Sequence, residues 1–158
     1  MTKPAIRFSA LPCAVVRALQ AGGPDAYGHP AERAIAEGTG NPCRHCLKPI
    51  PEGAGMLILA HRPFPATQPY AETGPIFLCE KPCARADDGA ALPEILAAPD
   101  YIVRGYADDD RIVYGTGRVV ATPDIPAYAA EILADPRVAY AHVRSARNNC
   151  YQCRVELA

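Results

Sequence analysis

The sequence predicts one α+β domain with a mostly antiparallel sheet, a few short helices and long Pro-rich loops. Three observations carry this reading. Met56–His61 and Pro75–Cys79 are apolar runs of strand length, the first bounded by Gly55 and Pro63. The segments 138–144 and 150–157 alternate in the period of two that marks half-buried strands. Helical stretches are interspersed irregularly among the strands, which argues against a parallel α/β order. The 158 residues suffice for one ordinary domain with a real core, and no repeat or boundary divides 1–158.

In chain order, Ile6-Arg7-Phe8 alternates as a short first strand. Pro12 suits the first turn of a helix, and Cys13, Val16, Leu19 and Gln20 follow at helical spacing until Gly22-Gly23-Pro24 ends it. On that helix Cys13 reads as a small buried hydrophobe. Residues 24–56 are broken by Gly, Pro and Asn, with one helical turn expected near Ala31–Ala36. Met56–His61 then reads as a central strand. A second Pro-rich loop reaches Tyr70, and Pro75–Cys79 is a buried strand that carries a cysteine at its end. Leu92–Ala97 offers a short helix opened by Pro93. Tyr101–Tyr106 and Arg111–Gly115 read as the arms of a β-hairpin whose turn holds Asp108-Asp109-Asp110. Ile125–Ala134 is a helix with Pro126 in its first turn and Pro136 beyond its end.

The last two strands separate two faces. Ala139, Ala141 and Val143 share one face, while Tyr140, His142 and Arg144 share the other. On the final strand Tyr151, Cys153, Val155 and Leu157 oppose Cys150, Gln152, Arg154 and Glu156. One combined face is apolar and suits a core; the other gathers His142, Arg144, Cys150, Gln152 and Arg154. On regular strands Cys150 and Cys153 cannot point the same way, so either a bulge re-aims one or Cys150 faces the polar side and Cys153 the core. We take the second arrangement.

Composition excludes several classes. A net charge of −1 with 21% charged residues leaves no basic footprint for nucleic acid. No run approaches the roughly 18 apolar residues that span a bilayer, and Met1–Arg7 lacks the apolar core of a secretory signal. Cytoplasmic residence is therefore expected, with no nucleic-acid or membrane partner, and a small molecule or a protein as the class of partner left. Seven cysteines in such a chain argue for free thiols or metal over structural disulfides.

Six of those cysteines come in close pairs: Cys43 with Cys46, Cys79 with Cys83, and Cys150 with Cys153. A C-x2-C pair lets two thiolates converge on one zinc ion at about 2.3 Å, and four such ligands close a structural site. Cys43-Arg44-His45-Cys46 is a good half-site, stiffened by Pro42 and Pro49. Common zinc sites place the second pair roughly 12–20 residues on, whereas Cys79 lies 33 residues after Cys46 and Cys150 lies 104 after it. The metal reading joins Cys43 and Cys46 to two of Cys79, Cys83, His142 and Cys150; we take the set Cys43, Cys46, Cys83 and Cys150. The rival reading is thiol chemistry, in which Cys43 or Cys150 is held as a thiolate by Arg44 or Arg144 and uses His142 as its base. Asp108–Asp110 is explained by a turn, and Gly115-Thr116-Gly117 lacks the helix that a phosphate cradle needs. His45 and His61 read as exposed or satisfied histidines. No G-x-S-x-G, H-E-x-x-H or Walker pattern occurs.

Four segments then carry a resemblance: Pro42-Cys43-Arg44-His45-Cys46-Leu47, Pro69–Phe77, Arg104-Gly105-Tyr106, and His142-Val143-Arg144-Ser145-Ala146 leading to Cys150-Tyr151. They resemble DUF1203, an uncharacterised bacterial family known only as a domain of unknown function. The resemblance implies a single-domain layout and no established activity. It also implies that Cys43, Arg44, Tyr70, His142 and Cys150 are shared more reliably than Cys46, Cys79 or Cys153, so a four-cysteine site would be particular to chains like this one. At Asn148-Asn149 the chain departs from the pattern, which calls for a glycine. If a site exists, Cys43, Arg44, Tyr70, His142, Arg144 and Cys150 surround it, with Arg44, Tyr70 and Arg144 binding the ligand.

Overall fold

The computed structural model describes residues 2–158. The elements run β1 (Ile6–Ser9), α1 (Cys13–Gln20), β2 (Glu32–Ile35), β3 (Gly55–His61), β4 (Gly74–Cys79), β5 (Asp100–Tyr106), β6 (Arg118–Ala121), α2 (Ile125–Leu133), β7 (Tyr140–Ser145) and β8 (Tyr151–Leu157), with a 3-10 turn at Thr122–Asp124 leading into α2. The strands form two sheets, one of five in the order β1-β8-β7-β5-β6 and one of three in the order β2-β3-β4. Every pairing of these strands is antiparallel.

Period-2 alternation gives the larger sheet one apolar face, made by Tyr101 and Val103 of β5, Ala141 and Val143 of β7, and Cys153 and Val155 of β8. Helix α2 lies on that face with Ile125, Tyr128, Ala129, Ile132 and Leu133, a stripe broad enough to fill it. Each large aliphatic chain buried there contributes about 1.5–3 kcal/mol. The smaller sheet has its own core. Leu57 and Leu59 of β3 and Ile76 and Leu78 of β4 pack with Val16 and Leu19, the inward face of α1.

Four local expectations are corrected. Residues around Ala31–Ala36 form the edge strand β2, because pairing with β3 outweighs a weak helical tendency. Leu92–Ala97 makes a turn closed by Leu96 N–H on the Pro93 carbonyl, since Pro99 leaves no room for a helix to grow. The strand beside β5 is β6, while Ile112 makes only an isolated bridge to Tyr106; the chain turns at Gly115 with φ +93° before pairing begins. Cys13 is exposed, because α1 turns Val16 and Leu19 inward and leaves its first residue at the rim.

The most consequential departure is a register shift. Val143 pairs with Cys153, but the next residue, Arg144, pairs with Tyr151. Gln152 is thus the extra residue of a β-bulge, and Tyr151 leaves the apolar set expected of it. Cys153 stays fully buried in the large core, whereas Tyr151 joins the small one and meets His142 edge-on at 4.9 Å. The polar face is not a solvated surface either: His142 is 1% and Arg144 3% exposed. Asn149, in the turn before β8, has φ +59°. Asn is among the residues that best tolerate that conformation.

Gly105 lies where β5 passes under the chain after α2. A Cβ there would sit 3.0 Å from Val138 Cγ1 and 3.2 Å from Thr116 Oγ1, both buried. Gly105→Ala is expected to lower unfolding free energy by about 1–3 kcal/mol, read from the urea midpoint. A midpoint equal to that of the unaltered protein would show that the packing is slack.

Candidate metal centre and the adjoining buried face

The centre begins with a tight loop. Pro42 and Pro49 bridge its ends, Cys43 N–H donates to the Lys48 carbonyl at 3.0 Å, and Leu47 N–H donates to the Cys43 carbonyl at 3.0 Å. Leu47 takes φ +53°, a left-handed conformation that costs a leucine about 1–2 kcal/mol and persists only where its surroundings impose it. The loop docks on β4, since Cys43 bridges Phe77 in parallel and Arg44 N–H donates to the Phe77 carbonyl at 3.2 Å. Strand β4 ends at Cys79, and the turn after it returns Cys83 to the same spot.

The sulfurs of Cys43, Cys46, Cys79 and Cys83 all lie within 4.8 Å of one another, and none is in a disulfide. Cys43 and Cys83 are 3.9 Å apart. Tetrahedral zinc–sulfur bonds of about 2.3 Å imply sulfur–sulfur edges of about 3.8 Å. The spacing is compatible with a tetrathiolate metal site. The set corrects the sequence reading in one member: Cys79 stands where Cys150 was placed. Docking of the loop on β4 brings Cys79 to it, and that contact cannot be inferred from ligand spacing alone.

The surroundings of the sulfurs favour negative charge on Cys43. Cys43 is drawn well below the usual thiol range by donation from the thiols of Cys46 and Cys79, helped by their backbone N–H groups; the Cys79 amide lies 3.4 Å away. Cys46 and Cys79 are pushed up, chiefly by sharing their protons with Cys43. Burial, then the charge on Cys43, pushes Cys83 up to about 12. A dication held by the four sulfurs would ionise the remaining thiols. His45 backs the cluster. Fully buried, it sets Nδ1 3.1 Å from Cys83 Sγ and Nε2 3.3 Å from Cys13 Sγ. Burial first, then the charge of Arg17, keeps its pKa below the ordinary histidine value.

Arg44 joins this loop to the larger sheet. It is 3% exposed, donates from Nε to the Tyr151 carbonyl at 2.8 Å and from Nη1 to the Pro42 carbonyl at 2.7 Å, and lies over the Phe77 ring. Its backbone carbonyl accepts from Leu11 N–H, just past the end of β1. Burial lowers its pKa to about 10, so it keeps its charge. Arg44 is thus a structural tie whose sequence motif alone suggested ligand binding.

The other anticipated residues fall in three places. Arg144 and Cys150 line one small cleft with His61, Glu72, Asn149 and Tyr151. His142 is caged by the rings of Phe64, Tyr106, Tyr140 and Tyr151 at 4.8–5.3 Å, and burial, then Arg144, holds its pKa well below the ordinary value. It shares no hydrogen bond with Cys43 or Cys150; the sulfur of Cys150 contacts the Asn148 carbonyl. Tyr70 stands apart, its hydroxyl 2.7 Å from that of Tyr114 and its ring beneath Arg111. Glu72, two residues on, is the member of that segment that reaches Arg144 and Arg104. A lone acid between Pro-rich stretches carried no signal for this.

Burial, then Arg44 and Arg144, lowers the pKa of His61 to about 4. The folded chain therefore binds fewer protons there than the unfolded chain. The stability His61 contributes is whole above about pH 6.5 and drains away as pH falls toward 4. Between pH 7.5 and 5 the protein is expected to lose about 2 kcal/mol more than His61→Gln, measured by urea unfolding. Parallel pH profiles would refute the buried neutral histidine.

The profile described as "Protein of unknown function (DUF1203)" matches residues 40–156. No curated protein and no solved structure matches the chain.

Proposed function

Since the chain belongs to the DUF1203 family, whose function is unknown, no activity comes with membership, and we propose that it is a zinc-stabilised binding protein in which Cys43, Cys46, Cys79 and Cys83 hold one structural zinc ion. The observation that carries this is the convergence of four free sulfurs within 4.8 Å from two stretches of chain far apart in sequence. A full set of four protein thiolates leaves no position for water or substrate, which is the signature of a structural site. The amide donors on Cys43, the strained Leu47 and the backing by His45 are what a built site requires around its ligands. The centre also sits where structural work is needed, between β4 and the start of β8. No helix among the described residues is long and apolar enough to cross a membrane. We place the protein in the cytoplasm, where thiols stay reduced and available to metal.

Purified protein is expected to carry about one zinc per chain by elemental analysis, with Cys79→Ser losing it and Cys150→Ser retaining it. A strong chelator should lower the melting temperature of the unaltered protein and leave Cys79→Ser unchanged. Less than about a tenth of an ion per chain, or retention of zinc by Cys79→Ser, would end the proposal. A full complement of iron would keep the site and overturn the zinc assignment.

A further inference from the structure

On its polar face the large sheet borders a cleft of about 450 Å³, set between the start of α1, the Pro63–Pro65 segment and the last strand. That size suits a small molecule. The walls are mostly apolar, from Leu11, Pro12, Val15, Pro63, Phe64 and Pro65. His142 of β7 and Tyr151 of β8 also line it, 1% and 6% exposed. Neither ring nitrogen of His142 is hydrogen-bonded. Nδ1 is enclosed without a partner, one of four such side-chain atoms among the described residues, the others being His61 Nε2 and Arg144 Nε and Nη2. Nε2 also lacks a partner but is not enclosed with them, so it carries the sliver of surface through which His142 meets the cleft. Buried polar groups are ordinarily paired, and this one is left to whatever enters.

The rim supplies the charge. Arg154, which also lines the cleft, is the cross-strand partner of His142, so the two side chains leave the sheet on one face. Its guanidinium lies 3.9 Å from the centre of the Tyr140 ring and donates from Nε to Glu156 Oε2 at 3.0 Å, two contacts that hold its plane. Nη1 and Nη2 make no hydrogen bond in the protein, on a side chain 40% exposed. The other arginines of the cleft are occupied: Arg62 donates to the Phe64 and Pro65 carbonyls, and Arg85 to those of Ala10 and Leu11. Glu156, the acid among the lining residues, is met by Arg7 at 2.7 Å as well as by Arg154. One planar cation with a free end thus stands beside a floor of rings.

We propose that this cleft binds a small aromatic carboxylate, its acid group accepting from Nη1 and Nη2 of Arg154 and its ring lying against His142 and Tyr151. The free end of a guanidinium presents two donors in one plane, which match the two oxygens of a carboxylate. Rings pack favourably on rings, offset or edge-on, and Phe64, centred 5.3 Å from His142, walls the same floor. Burial, then Arg144, keeps His142 neutral, so it offers Nε2 without adding a cation. A phosphate dianion fits less well, since one guanidinium end is free and Glu156 stands beside it. The site deepens the reading of a binding protein and rests on it, while using none of the cysteines.

Benzoate is the probe, with benzamide as its neutral counterpart and acetate as the acid without a ring. Calorimetric titration of the whole chain is expected to show benzoate binding about tenfold tighter than either. Arg154→Gln should bring benzoate down to the level of benzamide. Val15→Trp, at a position 42% exposed on the lip of the cleft, should block benzoate. In the unaltered protein the imidazole nitrogen resonance of His142 Nε2 should move with benzoate, a readout that stands even if a variant fails to fold. No saturable binding of benzoate below about 10 mM, unchanged affinity in folded Val15→Trp, or an unmoved His142 resonance would overturn the site. Benzamide or acetate binding as tightly as benzoate, or displacement of benzoate by equimolar inorganic phosphate, would overturn the aromatic carboxylate assignment. Zinc content, measured on the same samples, keeps this outcome separate from the fate of the metal centre.

Discussion

Two hydrogen bonds from Arg44, to the carbonyl oxygens of Tyr151 and Pro42, connect the cysteine loop to β8 beyond Arg154, the last residue of β8 that β1 pairs. The strand needs an acceptor's partner there and the loop supplies it. The tie works only because the bulge at Gln152 has already turned Tyr151 over, which places its ring toward His61 and His142. A guanidinium suits the position better than an ammonium would, because its planar donors reach two fixed carbonyls at once. Charge-assisted bonds of this kind contribute more than neutral ones, and losing the side chain would strand two carbonyls in the interior.

The metal loop and this tie together close very long stretches of chain. Cys43 meets Cys79 and Cys83, and Arg44 meets Tyr151. Contacts so distant in sequence carry an entropic cost that local structure cannot offset, and they slow folding. A metal ion held by the four thiols would answer that cost with a binding energy that exists only once all four ligands have converged. The two sheets have separate cores, Val143 and Val155 belonging to one and Leu57 and Leu78 to the other. Polar joints between them therefore matter more than they would in a single continuous core.

The buried face beside the tie is unusual in its charge. Arg44 and Arg144 are buried to within a few per cent, yet Arg44 is satisfied entirely by backbone carbonyls and cation–π contact while Arg144 is satisfied on one corner. Two histidines sit among them, held neutral by burial and by the arginines. A fully apolar face would be more stable.

How far this was legible from sequence follows the range of the interactions. Strands β1, β3, β4 and β5, both α-helices and the final hairpin are set by local periodicity and by prolines at their ends, and the half-site Cys43–Cys46 by the reach of two thiols three residues apart. The assignment of Cys153 to the core followed from alternation and holds in the structure. What alternation cannot carry is an extra residue: the bulge at Gln152 re-aimed Tyr151, and no residue type announces it. The choice of Cys79 over Cys150 was likewise made by the docking of the cysteine loop on β4. Local pattern determined which segments become strands and helices and which faces are polar. Which distant side chains then share a centre was decided by register and packing in the folded chain, because those contacts exist only once the sheets have formed.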